Sequence, residues 1–506
     1  MMEVYNDETR HGFEHTLGWL NQWACSRSFG LGTRIPWDEQ FLIESLSDST
    51  IYMAYYSVAH ILQEGDIYGQ KKDGIKAEHL TDDVWNYIFL DGPLPMTEIP
   101  ENKLKQMKQE FEYWYPFDVR VSGKDLIQNH LTFCLYNHTA IFPKEKWPRA
   151  VRCNGFLMLN SQKMSKSTGN FLTLRQAIEE FSADATRFAL ADAGDLMDDA
   201  NFVFDTANAA ILRLTKEITW MKEVIAAESS LRGGPPTLFA DKVFENEMNI
   251  AVHVTEQNYE SMMFREALKT GFYDLQTARD EYRLSCSSAG MNRDLIFRFM
   301  DVQTRLLTPV CPHYAEHVWS SILGREGFAV RAGWPAAHPA DFTLQRANQY
   351  LQETIVLFRK LLQKQSVPKK GKATVAIENK PTVGLIYVAE KYDGWKEECL
   401  QVLKQNFDSE TKRFAEDSEI MDALQKTSVG NIGDLKQIKK VCASFLKFKK
   451  DEARLVGARA LDVKLPFGEM QVLIENVDLI KKQLNLDEVY VYSFMDAEAL
   501  RRTGSR

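Results

Sequence analysis

The sequence predicts an α/β domain, then an all-α bundle, then a small α/β carboxy-terminal domain. Three observations point there. Between residues 117 and 190 a short apolar run, a polar loop and a helix-length segment follow one another twice. From about 196 to 325 apolar positions recur at helical spacing, with one Gly/Pro break at Gly233-Gly-Pro-Pro236. After residue 383, β-branched and aromatic runs return between helical stretches.

Taken in order, residues 3–23 read as an amphipathic helix, with Val4, Phe13, Leu17 and Leu20 forming its apolar stripe. A glycine-containing loop, Ser28 to Pro36, precedes the apolar run from Gln40, which reads as a buried strand. Ser49 to Leu62 is long and apolar enough for a helix, and residues 65–110 read as an insertion. The first strand-loop-helix unit spans 117–142: strand Phe117 to Val121, turn Ser122-Gly123-Lys124, helix Leu126 to Ile141. The second spans 150–190, with a strand at Phe156 to Leu159 and a loop at 160–172. Its helix starts near Thr173, where Gln176 three residues on completes a capping box. Strands alternating with helices give a parallel sheet, and both loops fall at carboxyl ends of strands, where ligands bind. Ala207 to Val224, Glu245 to Gln276 and Asp294 to Leu307 then read as helices of an antiparallel bundle. Residues 366–382 read as a linker. Val383 to Val388 and Glu488 to Tyr492 read as strands.

A chain of 506 residues exceeds one hydrophobic core. No apolar run is long enough to span a membrane, and the amino terminus has no secretory pattern. Seven scattered cysteines without a CxxC pair argue for reduced thiols rather than disulfides or a zinc site. A net charge of −9 argues against a protein that coats nucleic acid by charge alone. Two lysine-rich stretches remain, Lys360 to Lys372 and Lys436 to Lys450. Each is read equally as a solvated face or as a local basic surface.

Lys163-Met164-Ser165-Lys166-Ser167-Thr-Gly-Asn170 is the most informative stretch. Two lysines three apart, among hydroxyls and a glycine, can fold over a triphosphate. When a carboxylate attacks the α-phosphate, charge builds on the departing pyrophosphate, and a lysine placed there stabilises the transition state above the ground state. By residue type alone, a solvated basic loop is the more common outcome.

The string matches the KMSKS signature of class I aminoacyl-tRNA synthetases without a mismatch, following a strand and preceding a capped helix. Leu306 to Trp319 with Gly333-Trp-Pro335 resembles the last bundle helices of the Val/Ile/Leu/Met subclass. Ser26 to Asp38, Glu44 to Tyr52 and Arg120 to His130 resemble leucyl enzymes of archaea and the eukaryotic cytosol. The resemblance is strong over about 1–350. It implies the second half of a Rossmann-like catalytic domain over 1–193, with an insertion near 63–112. A helical-bundle, anticodon-binding-like domain would follow at 194–350, a linker or extension at 351–382, and a small α+β domain without a closing strand at 383–506.

It also implies roles. Lys163 and Lys166 would contact phosphates, Lys166 stabilising the departing pyrophosphate, with Met164, Ser165 and Ser167 completing the loop. Gly123 and Asp125 would lie at the ATP ribose. Asp48, Ser49, Tyr52 and His130 would surround the amino acid. For His130 the alternative is a satisfied helix histidine, and for Asp48 a carboxylate at a helix N-terminus that favours the dipole. ATP, with Mg²⁺ accompanying it, leucine and tRNA-Leu are the implied ligands, with other synthetases as further candidate partners. No protein-bound metal and no membrane contact are expected, and the cytoplasm is the expected location.

No His-x-Gly-His motif occurs among the ten histidines, and the family's editing domain is absent. The expectation is therefore a partial chain, a partial gene model being preferred over a piece of a split enzyme. No ATP–pyrophosphate exchange is expected from it alone. The competing reading is a tRNA-binding or regulatory module derived from such an enzyme. A sister enzyme for Ile, Val or Met is disfavoured by the Ser122 to Asp125 and Glu44 to Thr50 strings.

Overall fold

The computed structural model describes residues 2–68, 74–165, 167–286, 288–366, 382–389, 392 and 394–494. Lys166, most of the linker expected at 366–382 and the terminal Arg501 to Arg506 lie outside them. The chain divides into two units. One comprises Met1–Trp220, Val254–Phe272 and Thr304–Gly333; the other Met221–His253, Tyr273–Gln303 and Trp334–Arg506.

The first unit opens with α1 (Asp7–Trp19), whose N-cap Asn6 accepts the Thr9 amide at 2.7 Å, with Asp7 and Glu8 favouring the helix dipole. Val4 and Phe13 are buried as expected, but Leu17 is 47% exposed. The core face is instead completed by Thr9 and Thr16, and the Thr16 hydroxyl donates to the Gly12 carbonyl one turn back. Strands β1 (Ser26–Arg27), β2 (Arg34–Ile35) and β3 (Asp38–Ile43) form an antiparallel sheet in the order β1-β3-β2. The Gln40 run is thus a strand, but a surface one: Gln40 and Phe41 are exposed, because β3 pairs with two short hairpin strands rather than lying between core layers.

Helices α2 (Ser45–Asp48), α3 (Tyr52–Gln63), α4 (Asp82–Phe89) and α5 (Glu101–Trp114) follow. α3, α4 and α5 share a core of Val58, Ile88, Leu104, Met107 and Phe111, so the inserted stretch folds onto α3 with its own interior. The Rossmann-like part consists of short parallel strands. β4 (Arg120–Gly123) pairs with β5 (Val151–Asn154), and Glu3 bridges Ala150 on the far side. β4 starts three residues later than the apolar run suggested. The following helix begins with a 3₁₀ turn at Lys124–Leu126 and a π-helical turn at Ile127–Leu131 before α6 (Thr132–Ile141).

β6 (Leu157–Leu159) pairs antiparallel with β7 (Gln162–Lys163) and parallel with β8 (Ala200–Phe202). β8 falls where sequence periodicity indicated helix; three residues between helices carry no period of their own. α7 (Leu174–Phe181) starts on the expected capping box: the Thr173 hydroxyl accepts the Gln176 amide, and the Gln176 side chain accepts the Thr173 amide. α8 (Ala183–Ala193) and α9 (Phe204–Ala226) follow.

The helical region continues with α10 (Phe239–Glu260), α11 (Phe264–Leu268), α12 (Asp274–Ser285), α13 (Arg293–Leu307) and α14 (Pro312–Glu316). The helix expected over 245–276 is interrupted at Met262, which takes φ 56°. No glycine or proline announces that break. In the second unit, α15 (Phe342–Ser366) packs with β9 (Val383–Val388), α19 (Glu469–Glu475), α20 (Val477–Leu484) and β12 (Glu488–Ser493) around Leu351, Ile355, Val472 and Ile480. β9 and β12 are parallel, with Leu385 opposite Tyr490. Between them α16 (Gly394–Gln405), the hairpin β10 (Phe407–Asp408) and β11 (Arg413–Phe414), α17 (Asp417–Gln425) and α18 (Leu435–Val456) enclose Leu400, Leu403, Ile438 and Cys442. Lys449 and Lys450, counted above in a basic stretch, are buried: Lys449 donates to Glu452 and the Ala460 carbonyl, Lys450 to Asp417. Among the described residues no helix is long and apolar enough to cross a membrane. All seven cysteines are free, and six of them are buried.

Candidate active site

The 163–170 loop leaves β7 and is pinned at its base. The Ser165 amide donates to the Asn170 carbonyl at 2.9 Å, and the Asn170 side chain donates to the Lys163 carbonyl at 3.1 Å. Inside, the Ser165 and Ser167 hydroxyls lie 2.8 Å apart, Thr168 donates to the Ser165 carbonyl, and Gly169 takes φ 72°. Lys163, Ser167 and Thr168 are exposed, so the loop is fixed at its ends with its polar groups open to solvent. The Lys163 ammonium lies 5.9 Å from the centre of the Phe156 ring.

The hairpin carrying the loop is set by β8 and its flanks. Asn160 and Ser161, at the β6–β7 turn, both take positive φ. Asn201 grips that turn, accepting the Ser161 amide at 2.7 Å and donating to the Ser161 hydroxyl at 3.0 Å. Asp199 accepts the Phe156 amide at 3.0 Å and the Lys124 ammonium at 2.7 Å through one oxygen. These bonds hold the Asp199 carboxyl below its ordinary pKa, Lys124 contributing most. Gly155 makes the close approach possible: a Cβ there would lie 2.1 Å from the Asp198 carbonyl oxygen.

Gly123 ends β4, and a Cβ there would lie 2.5 Å from Asp125 Oδ1. Glycine thus leaves room for the Asp125 carboxylate to fold back over the strand end. Asp125 is exposed, at the carboxyl end of a parallel strand.

His130 lies in the π-helical turn and is buried, 5% exposed. Its ring stacks on Tyr52 at 5.6 Å. Nδ1 lies 3.3 Å from the Leu46 carbonyl and Nε2 3.4 Å from the Arg120 guanidinium. A carbonyl only accepts and a guanidinium only donates, so this pairing fits a neutral ring protonated at Nδ1. Burial first, and the Arg120 charge in addition, lower the His130 pKa, against the Leu46 hydrogen bond. Arg120 also donates to the Tyr52 hydroxyl and lies 5.0 Å from the centre of that ring. Its Nη1 points at the Met53 sulfur, 2.7 Å away.

Asp48 ends α2 and accepts the Thr33 amide at 3.1 Å, which ties the 26–43 hairpin to the helix. Glu44, not Asp48, caps α2, accepting the Leu46 and Ser47 amides while paired with Arg27. Ser49 is exposed beside it. Asp48 and Tyr52 also line an apolar cavity of about 480 Å³ with Tyr55, Trp85, Phe89 and Phe142.

The structure therefore brings Tyr52 and His130 together around Arg120. It places Gly123 and Asp125 at one strand end and Lys163 to Ser167, Lys166 being undescribed, on a pinned loop. Sequence reasoning assigned nothing to Arg120, Phe156, Asn170, Asp199 or Asn201. Asn170 had a visible signal, as the end of the Lys163 to Asn170 stretch that carries the signature. The others become visible only once strands far apart in sequence are paired.

Residues 241–377 match the sequence family described as anticodon-binding domain of tRNA ligase. Residues 37–213 match tRNA synthetases class I (M), and 388–466 match leucine–tRNA ligase, RagD-binding domain. The chain is 60% identical to the cytoplasmic leucine–tRNA ligase of Arabidopsis thaliana, covering 99% of this chain and 47% of that protein. It is 49% identical to the cytoplasmic enzyme of Pongo abelii, covering 98% and 42%. For that of Dictyostelium discoideum the figures are 45% identity, 97% and 46%. The chain spans about half the length of the curated relatives it matches.

Proposed function

The chain belongs to the family of cytoplasmic leucine–tRNA ligases, and from that membership we propose that it forms part of an ATP-dependent ligase charging tRNA-Leu with leucine. Two steps make up the reaction. A leucine carboxylate oxygen bonds to the α-phosphorus of ATP as the bond to the bridging oxygen breaks and pyrophosphate leaves. A ribose hydroxyl at the tRNA 3′ end then attacks the adenylate carbonyl, and AMP leaves.

The observation that carries the reading is the KMSKS loop on the β6–β7 hairpin, whose first strand pairs in parallel with β8, within the unit that holds Gly123, Asp125 and His130. Lys163 and Lys166 supply positive charge to the phosphates, and the hydroxyls and amides of Ser165 and Ser167 supply donors. Gly123 admits the nucleotide close to backbone, and Asp125 accepts from the ribose hydroxyls. Tyr52, His130, Asp48 and Ser49 surround leucine; a neutral His130 presents no second cation to its ammonium group. Mg²⁺ belongs to the nucleotide substrate, and no step is assigned to a metal held by this chain.

The match over 241–377 supports docking of tRNA on the helical region, and the description of the 388–466 match adds RagD as a protein partner. The names of the relatives support a cytoplasmic location.

The test is ATP–pyrophosphate exchange with leucine, using the full-length ligase that contains this sequence. Lys166→Ala should lower kcat a few hundredfold, about 3–4 kcal/mol of transition-state stabilisation, with leucine binding unchanged. Lys163→Ala should act in the same direction. A raised leucine KM at unchanged kcat would contradict the assignment.

A further inference from the structure

We infer that Asp199 and Asn201 are positioning residues that hold the ribose-side and phosphate-side loops of the nucleotide site in register. Neither lies in a signature string, and both fall in a stretch that reads as helical. They are two apart along β8 and its approach, so their side chains leave the strand on the same face.

Asp199 joins two segments through one oxygen. It accepts from Lys124 Nζ at 2.7 Å, next to Gly123 and Asp125, and from the Phe156 amide at 3.0 Å, just before β6. Lys124 adds a bond to the Met197 carbonyl at 3.0 Å. The Phe156 ring then meets both cations, Lys124 Nζ at 5.3 Å and Lys163 Nζ at 5.9 Å from its centre. One carboxylate thus fixes where the loop after β4 and the chain entering β6 stand relative to each other. It pairs directly with Lys124, and its charge also acts on Lys163.

Asn201 acts two residues upstream of Lys163. The β6–β7 turn places two non-glycine residues in the left-handed region, which costs energy unless neighbouring groups hold them there. The Asn201 amide does so with both its ends, on the Ser161 amide and hydroxyl. Asn160 helps, its side chain accepting the Phe204 amide at 3.1 Å. A freed turn would let Lys163 leave its place without disturbing the helices.

The catalytic part of this inference rests on the adenylate-forming reading above; the mechanical part does not. Two measurements separate them. Hydrogen exchange on this chain compares wild type with Asp199→Ala, Asp199→Asn and Asn201→Ala. Peptides covering 155–170 should exchange at least tenfold faster in the alanine variants, while the α5 peptide stays unchanged. Asp199→Asn, which keeps an acceptor for the Phe156 amide, should fall between. Unchanged exchange at 155–170, or faster exchange everywhere, overturns the brace. Pyrophosphate exchange by the full-length ligase gives the second measurement. Asp199→Ala and Lys124→Gln should raise the ATP KM about tenfold and leave the leucine KM within twofold. If ATP and leucine parameters shift together, the residues are structural only and the positioning role falls. A wild-type ligase without leucine-dependent exchange overturns the functional reading and the catalytic part, and the hydrogen-exchange result still decides the brace.

Discussion

His130 and His138 are both held neutral, for related reasons. His138 is fully buried, with Nε2 3.0 Å from the Tyr115 hydroxyl and Nδ1 2.7 Å from the Cys134 carbonyl. Burial is the main cause of its lowered pKa, the Cys134 carbonyl opposes it, and the Arg120 charge adds to it. Lowered folded-state values mean that the unfolded chain binds protons first as pH falls. The stability these rings contribute is therefore complete above the ordinary histidine value of 6.5 and lost as pH drops from there through the lowered values. Urea midpoints should fall between pH 7.5 and pH 5.5, and His138→Gln should flatten part of that slope. An identical slope in the variant would argue against the burial account. At this scale the resemblance gave roles to Tyr52 and His130 and none to Arg120, although one of its strings begins there. An arginine in a strand is ordinary; its meaning comes from reaching Tyr52 across 68 positions of sequence.

Helix ends show which elements are legible locally. The Thr173–Gln176 box was readable because both partners lie within one turn of chain. The start of α14 is different. Pro312 fits a first-turn position, but the cap is supplied by Asp184 from α8, whose carboxylate accepts the Tyr314 amide at 2.5 Å and the His313 Nδ1–H at 3.0 Å. His313 is largely exposed, so its ion pair contributes little, and the buried amide bond matters more. Asp184→Ala should destabilise by about 1–2 kcal/mol in urea denaturation, and His313→Ala by much less. Equal losses would mean that the ion pair, not the cap, holds the helix. β8 escaped detection for the converse reason. Its three residues have no period, and its pairing with β6 bridges more than forty positions.

Among the described residues, two hydrophobic cores share no side chains. The cluster around Phe111 belongs to α3, α4 and α5, and the cluster around Leu403 belongs to α16, α17 and α18. Leu403 is fully buried, so Leu403→Ala should cost about 2–5 kcal/mol. Cores that do not share side chains can open separately. Hydrogen exchange should therefore speed up in α16 to α18 and stay unchanged in α5. Equal acceleration in both would show one cooperative structure.

Sequence by itself determined the order of element types, the signature loop and the family, because these rest on spacing within a few turns of chain or on near-identical strings. Tertiary structure decided what holds the loop. Asn170 closes it, while Asn201 and Asp199 fix the hairpin and the neighbouring strand end. It also decided that the Gln40 strand lies on the surface, that Lys449 and Lys450 are buried, and that Arg120 sits between Tyr52 and His130. In most of these cases the cause is a partner far along the chain. Such a partner leaves no local pattern, since pairing across strands and helices is set by which faces meet once the cores have formed.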